Sequence, residues 1–83
     1  GDWLYLGKLA VAADQRGQGW ARGLVNRAMA RAAEMGLRGV ELQTRIELTA
    51  NHATFAALGF VETGRSAHAG FDRPTTLTFR RAL

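Results

Sequence analysis

The 83-residue chain has no cysteine, one proline and only two histidines, His52 and His68. Without cysteine, neither a disulfide framework nor a cysteine-ligated metal site can form. The two histidines are too few and too separate in sequence for a metal site, so we predict that the protein binds no metal. No apolar run reaches the length that spans a bilayer. We therefore expect a soluble, cytoplasmic protein that does not contact a membrane.

Lysine is also scarce: ten of the eleven basic residues are arginine. The net charge of the chain is +4. The planar arginine fork suits phosphate, which makes an anionic partner plausible. The arginines are scattered along the chain rather than clustered, and this favours a solvated surface for most of them. A small basic nucleic-acid-binding domain is therefore kept only as the weakest alternative, favoured by charge alone.

Hydrophobic residues make up 47% of the chain, a composition typical of one globular domain. Residues 3–12 are apolar on both alternating faces except at Lys8, which predicts a strand covered on both sides. Apolar residues then recur at helical spacing from Ala21 to Ala32, and Gly36 would end that helix. Residues 40–44 alternate and predict a second strand. The strand–helix–strand order predicts a right-handed crossover with parallel pairing.

The rest of the chain predicts a short helix and two further strands. Asn51 is the expected N-cap of a helix over residues 51–58, which Gly59 would end. Strands are expected over residues 60–63 and 75–80, with a glycine- and proline-containing loop between them. The predicted fold class is therefore α/β, in the order β-α-β-α-β-β, with a mixed sheet.

The stretch DQRGQGWARGL, residues 14–24, lies between the first strand and the first helix. The N–H groups of a helix's first turn have no intrahelical partners and attract anions, and glycine lets a phosphate approach the backbone closely. The spacing favours a backbone phosphate site, with a plain strand-to-helix turn as the alternative. A P-loop is excluded because the loop has no lysine, and a dinucleotide fingerprint needs a small residue where Arg22 stands.

The same stretch resembles the GNAT superfamily of N-acetyltransferases, in which an apolar strand residue is followed by Arg/Gln-x-x-Gly-x-Gly/Ala at the head of a helix. Val11 and residues 16–21 match this pattern, and Gly59-Phe60 and residues 63–81 also look like the closing part of bacterial members. The resemblance implies a partial GNAT-like fold. It predicts that residues 1–83 form a single domain equivalent to the C-terminal, acetyl-CoA-binding half, lacking the usual N-terminal strands and helices.

The resemblance implies acetyl-CoA as co-substrate and a set of residues that would bind it. By the resemblance, the pantetheine arm would lie along the end of the first strand, and the pyrophosphate would lie against the loop and the helix start. Asn51 would lie near the pantetheine, with a plain N-cap role as the alternative, and a solvated side chain is the alternative for Arg22. The full set is Leu9, Ala10, Val11, Arg16, Gly17, Gln18, Gly19, Trp20, Ala21, Arg22 and Asn51.

The implied reaction is acetyl transfer from acetyl-CoA to a primary amine, with a non-catalytic CoA-binding or regulatory module as the alternative. The usual general acid of the family is a tyrosine four residues before the Gly-Phe pair, and Phe55 occupies that position. Phenylalanine has no proton to donate. His52 and His68 remain possible acid–base groups, and Ser66 and Asp72 have no stronger claim. We therefore assign no catalytic residue.

The first strand also predicts self-association. It is apolar on both faces, and at the edge of a sheet it would expose unpaired N–H and C=O groups. We expect a homodimer in which first strands, or uncovered faces, meet around a twofold axis. Exchange of the final strands between subunits is the alternative.

Overall fold

A computed structural model of the chain describes residues 2–9, 19–67, 69–70 and 72–83. Its elements are β1 (Trp3–Lys8), α1 (Trp20–Glu34), β2 (Gly39–Arg45), α2 (Thr49–Ala57), β3 (Val61–Ser66) and β4 (Thr76–Ala82). The strands form one sheet in the order β1-β2-β4-β3. β1 pairs with β2 in parallel, whereas β4 is antiparallel to both β2 and β3. The predicted α/β class, element order and mixed sheet are confirmed.

The core lies between one face of the sheet and both helices. Leu42 of β2 stands opposite Phe79 of β4, and both are buried. Val25 of α1 and Phe55 of α2 belong to the same cluster. Because both helices contribute to one cluster with the same two strands, they cover the same face. The buried hydrophobic residues are Ala21, Val25, Ala28, Ala32, Val40, Leu42, Phe55, Phe60, Leu77 and Phe79.

The second face of β1 is less covered than its sequence predicts. Leu4 and Leu6 pack against the core, but Tyr5, which points to the opposite face, is 52% exposed. The prediction of a strand covered on both faces is therefore wrong for residues 3–8. The predicted continuation of the strand over residues 10–12 lies outside the described residues.

Both predicted glycine stops are confirmed. Gly36 and Gly59 have φ of 70° and 93°, the left-handed conformation in which helices commonly end. In each case the N–H of the following residue reaches back to the last turn: Leu37 donates to the Ala32 carbonyl at 2.9 Å and Phe60 to the Phe55 carbonyl at 3.0 Å. The two helices end where the local sequence places their ends.

The predicted start of α2 is wrong. The N-cap is Leu48, whose carbonyl accepts the N–H of Asn51 at 2.9 Å and that of His52 at 3.2 Å. Asn51 is therefore inside the first turn, and it is only 3% exposed. Capping preference is a local term, and here the burial of Asn51 within the fold outweighs it.

The two final strands are confirmed but are longer than predicted. β3 continues to Ser66 because residues 64–66 pair with β4, after a register shift between Glu62 and Gly64. β4 extends to Ala82, which pairs with Gly39 of β2. Within the described ranges, neither helix has the length and apolar character needed to cross a membrane.

Candidate functional site

The first turn of α1 presents backbone donors that no described side chain satisfies. Gly19 is the N-cap, with φ 75° in the left-handed region. The helix has no side-chain cap hydrogen bond, and its first turn contains no acidic residue. The N–H groups of such a turn carry the positive end of the helix dipole. An added Cβ at Gly19 would meet nothing within 4 Å, so the left-handed backbone, and not crowding, favours glycine at this position.

The end of β1 lies beside this helix start and is irregular. The register between β1 and β2 shifts between Tyr5 and Lys8, and Gly7 within this interval has φ 95°. Leu9 then rejoins β2 by donating its N–H to the Gln43 carbonyl at 2.7 Å. A bulge of this kind bends a strand and leaves ladder groups unpaired. It thus changes the course of β1 close to the point where the chain leaves the sheet.

Topology brings the starts of both helices to one edge of the sheet. β1 and β2 are parallel, so their carboxyl ends lie at the same edge, here called the carboxyl edge and marked by Leu9 and Arg45. α1 connects the end of β1 to the start of β2, and α2 begins soon after β2 ends. Both helix N-termini therefore lie at the carboxyl edge, where ligands bind in open α/β sheets.

Six of the predicted binding residues are described, and the structure brings them to this edge. Leu9 is half-buried and contacts the core, Trp20 and Arg22 are exposed, and Ala21 and Asn51 are buried. The remaining predicted residues, which are Ala10, Val11, Arg16, Gly17 and Gln18, lie outside the described residues.

The aromatic residue at the family's tyrosine position belongs to the core. Phe55 is 1% exposed, and its ring centroid lies 6.0 Å from that of Phe60 and 6.4 Å from that of Phe79. These distances are typical of packed aromatic pairs. The observed contacts of Phe55 are those of a structural side chain.

The other acid–base candidates have local structural contacts or lie outside the described residues. His52 Nε2 is 3.0 Å from the Arg45 carbonyl oxygen, and its ring packs 5.9 Å from that of Phe79. Ser66 ends β3, where its carbonyl accepts the Thr75 N–H at 2.8 Å. Asp72 is exposed, and His68 is not among the described residues. None of the described candidates has contacts that identify it as a catalytic group.

Near His52, the charged side chains of Glu62 and Arg65 form an exposed ion pair. Arg65 Nε donates to Glu62 Oε2 at 2.8 Å. This hydrogen bond lowers the pKa of the Glu62 carboxyl from its ordinary value, and desolvation opposes the shift more weakly. Because the pair is on an exposed edge strand, we regard it as a surface pair of small energetic weight.

A groove between the two helices brings together residues that the sequence did not group. It has a volume of about 420 Å³, between the first half of α1 and the end of α2. Arg22 and Asn26 line one side, and Arg81 lies across the groove near Gly59. Sequence analysis missed Asn26 and Arg81 because no motif or local spacing links them to the glycine-rich stretch.

A helix start without a side-chain cap, at the carboxyl edge of an α/β sheet, is suited to an anionic ligand. The sequence profile described as "Acetyltransferase (GNAT) family" matches residues 1–60. The chain belongs to the GNAT acetyltransferase family. No curated protein matches it significantly.

Solved structures of similar fold include acetyltransferases. One chain of the NatC complex bound to Gag peptide and CoA is 25% identical, with a TM-score of 0.70 over 95% of this chain and 50% of that one. A protein from Agrobacterium tumefaciens with a proposed acetyltransferase activity is 24% identical, with a TM-score of 0.73 over 99% of this chain and 58% of that one.

A spermidine N-acetyltransferase SpeG chimera from Vibrio cholerae and hSSAT is 23% identical, with a TM-score of 0.67 over 88% of this chain and 46% of that one. The present chain therefore spans about half the length of each of these three structures.

Proposed function

We propose that this chain is the acetyl-CoA-binding half of an N-acetyltransferase that transfers an acetyl group from acetyl-CoA to a primary amine. The observation that carries this proposal is the uncapped start of α1, opened by Gly19 in a left-handed conformation, in a chain whose family is GNAT. The CoA-bound NatC structure, to which this chain is similar over 95% of its length, supports CoA as the anionic ligand.

The residues at the carboxyl edge fit such a ligand. In the proposal, the backbone N–H groups of residues 19–22 hold the pyrophosphate. The motif assigns Arg16, Gly17 and Gln18, which lie outside the described residues, to the same group. The absence of a side chain at Gly19 lets a phosphate approach the backbone closely, as this requires. In the proposal, the backbone of Leu9 lies beside the pantetheine arm, and Asn51 borders the arm from the first turn of α2. The resemblance also assigns Ala10 and Val11, outside the described residues, to this arm. When bound, acetyl-CoA supplies the activated acyl group.

The proposed reaction needs an amine without its extra proton, a polarised thioester carbonyl and a proton for the leaving thiolate. Phe55 has no proton to donate and is buried. We therefore propose that this part of the protein contributes chiefly by holding the acyl donor in a fixed position, an effect that can supply a large share of a rate enhancement. No described side chain is assigned as acid or base.

A non-catalytic CoA-binding or regulatory module is the second candidate. Phe55 at the tyrosine position is the observation that favours it. Both candidates require CoA binding, so they differ only in whether acyl transfer follows.

Thermal unfolding with acetyl-CoA, CoA, NAD and a DNA duplex in parallel tests the proposal. At about 100 times the dissociation constant a ligand adds about 2.7 kcal/mol of stability, which raises the Tm of a domain this small by roughly 10–20 °C. We expect this shift with both CoA species and not with NAD or DNA. Thiol release with a panel of amines then separates an enzyme from a binding module. Stabilisation by NAD or DNA alone would contradict both candidates.

We also propose that the chain forms a homodimer. β1 is the terminal strand of the described sheet, and no described strand pairs with its outer side. Such an edge invites pairing with a second copy. Light scattering at micromolar concentration should give twice the 9.0 kDa mass of the chain. A monodisperse monomer with cooperative melting would show that the edge of β1 is tolerated without a partner.

A further inference from the structure

Among the described residues, the groove between α1 and the end of α2 is lined by two guanidinium groups and by no carboxylate. Its lining is Arg22, Asn26, Ala57, Leu58, Gly59 and Arg81. Arg22 and Asn26 are four residues apart on α1, so they share one face of the helix. Arg81 comes from β4, on the other side of the groove. The two arginines therefore approach one space from two different elements.

The arginines of the groove differ from most other described arginines in their partners. Five arginines form ion pairs with carboxylates, namely Arg31–Glu34, Arg38–Asp2, Arg45–Glu47, Arg65–Glu62 and Arg80–Glu41. Neither Arg22 nor Arg81 has a described carboxylate within ion-pair distance. The positive charge in the groove is thus uncompensated by the described residues.

Arg81 is held in place while keeping donors available. Its Nη1 donates to the Leu58 carbonyl at 3.0 Å, and its side chain lies against Gly59. A guanidinium has five N–H donors, so this one bond leaves others for a ligand. Arg81 is also half-buried, which strengthens its interaction with an anion relative to a fully exposed arginine.

Two planar guanidinium forks and an amide are suited to a phosphate monoester. Arg22 also belongs to the first turn of α1, so the groove adjoins the proposed pyrophosphate site. In CoA, the ribose that carries the pyrophosphate also carries a 3′-phosphate. We propose that this groove binds a phosphate monoester and that the 3′-phosphate of CoA is that group. The proposal rests on the proposed function.

The test is calorimetric binding of CoA and of 3′-dephospho-CoA to the wild type and to three variants. Arg22→Gln and Arg81→Gln each remove one groove charge. Arg27→Gln is the matched control, because Arg27 is an exposed arginine of α1 outside the groove lining. We expect the wild type and Arg27→Gln to bind CoA about a hundredfold more tightly than dephospho-CoA, because each of the two groove arginines contributes a charged hydrogen bond equivalent to about tenfold. Each groove variant should keep a preference of only about tenfold.

Comparing the two ligands separates this inference from the proposed function. Any weakening of the pyrophosphate contact in Arg22→Gln lowers both affinities and cancels in their ratio. If the wild type binds neither ligand, the proposed function fails. If it binds both equally, or if the groove variants keep the full preference, CoA binding stands and the groove assignment is wrong.

Two further measurements complete the test of the groove. Because Arg81 also donates to the Leu58 carbonyl, thermal melts are used to establish that Arg81→Gln is folded. Arg22 is exposed, so Arg22→Gln tests the proposal without this complication. Inorganic phosphate is titrated as a separate probe. If phosphate stabilises the wild type but not Arg81→Gln, while CoA and dephospho-CoA bind equally, the assignment to the 3′-phosphate is overturned in favour of free phosphate.

Discussion

Gly39→Ala should leave the protein only marginally folded at room temperature. An added Cβ would lie 2.8 Å from the Ala82 Cα and 2.9 Å from Trp3 Cζ3, and it would also overlap the carbonyl oxygen of Arg81. Gly39 pairs with Trp3 on one side and Ala82 on the other, so its backbone has little room to move. We expect a loss of about 3 kcal/mol, against a total of roughly 3–5 kcal/mol for a core this small.

Urea unfolding followed by circular dichroism measures this effect. Gly64→Ala is the matched control, because Gly64 is also in a strand but an added Cβ there would meet nothing within 4 Å. Its effect should stay within about 0.5 kcal/mol. If Gly39→Ala unfolds at the same urea concentration as the wild type, the register that places Gly39 between Trp3 and Ala82 is wrong.

Gly19→Val should weaken CoA binding by about tenfold or more. The N-cap φ of 75° is poorly accessible to a β-branched residue, at a cost of roughly 1–2 kcal/mol. Avoiding that cost would turn the first N–H groups of α1 away from a common target. The cost comes from the backbone, because a Cβ at Gly19 meets no atom within 4 Å. A loss of 1.4 kcal/mol of binding free energy corresponds to a factor of about ten.

Isothermal titration with CoA is the measurement, and Gly23→Ala is its control. Gly23 lies inside the same helix, it does not have a positive φ, and a Cβ there meets nothing within 4 Å. This variant should be more stable by roughly 0.5–1 kcal/mol and should keep wild-type CoA affinity. Undiminished affinity in Gly19→Val would exclude the first turn of α1 as the phosphate site.

The sequence by itself determined the features that depend on neighbouring residues. The helix stops at Gly36 and Gly59 follow from the left-handed conformation that glycine adopts freely. The helical spacing of apolar residues in α1 and the alternation of apolar and polar residues in β2 each indicate one buried face. Such a face can be recognised from the local sequence. The parallel pairing of β1 with β2 follows from the strand–helix–strand order, because the helix returns the chain to the edge of the sheet where β1 began. The part of the candidate site at residues 19–22 was predicted for the same reason, because one short motif contains it.

Only the tertiary structure decided the features that depend on distant residues. The burial of Asn51 moved the start of α2 to Leu48, against the local capping preference. Pairing with β4 extended β3 to Ser66, and the position of both helices on one face left Tyr5 exposed.

The groove is the clearest case, since Arg22 and Arg81 meet only after the sheet has formed. A local pattern constrains torsion angles and helix or strand faces, whereas the register of strands determines which distant side chains become neighbours. That register depends on packing energy summed over the whole core.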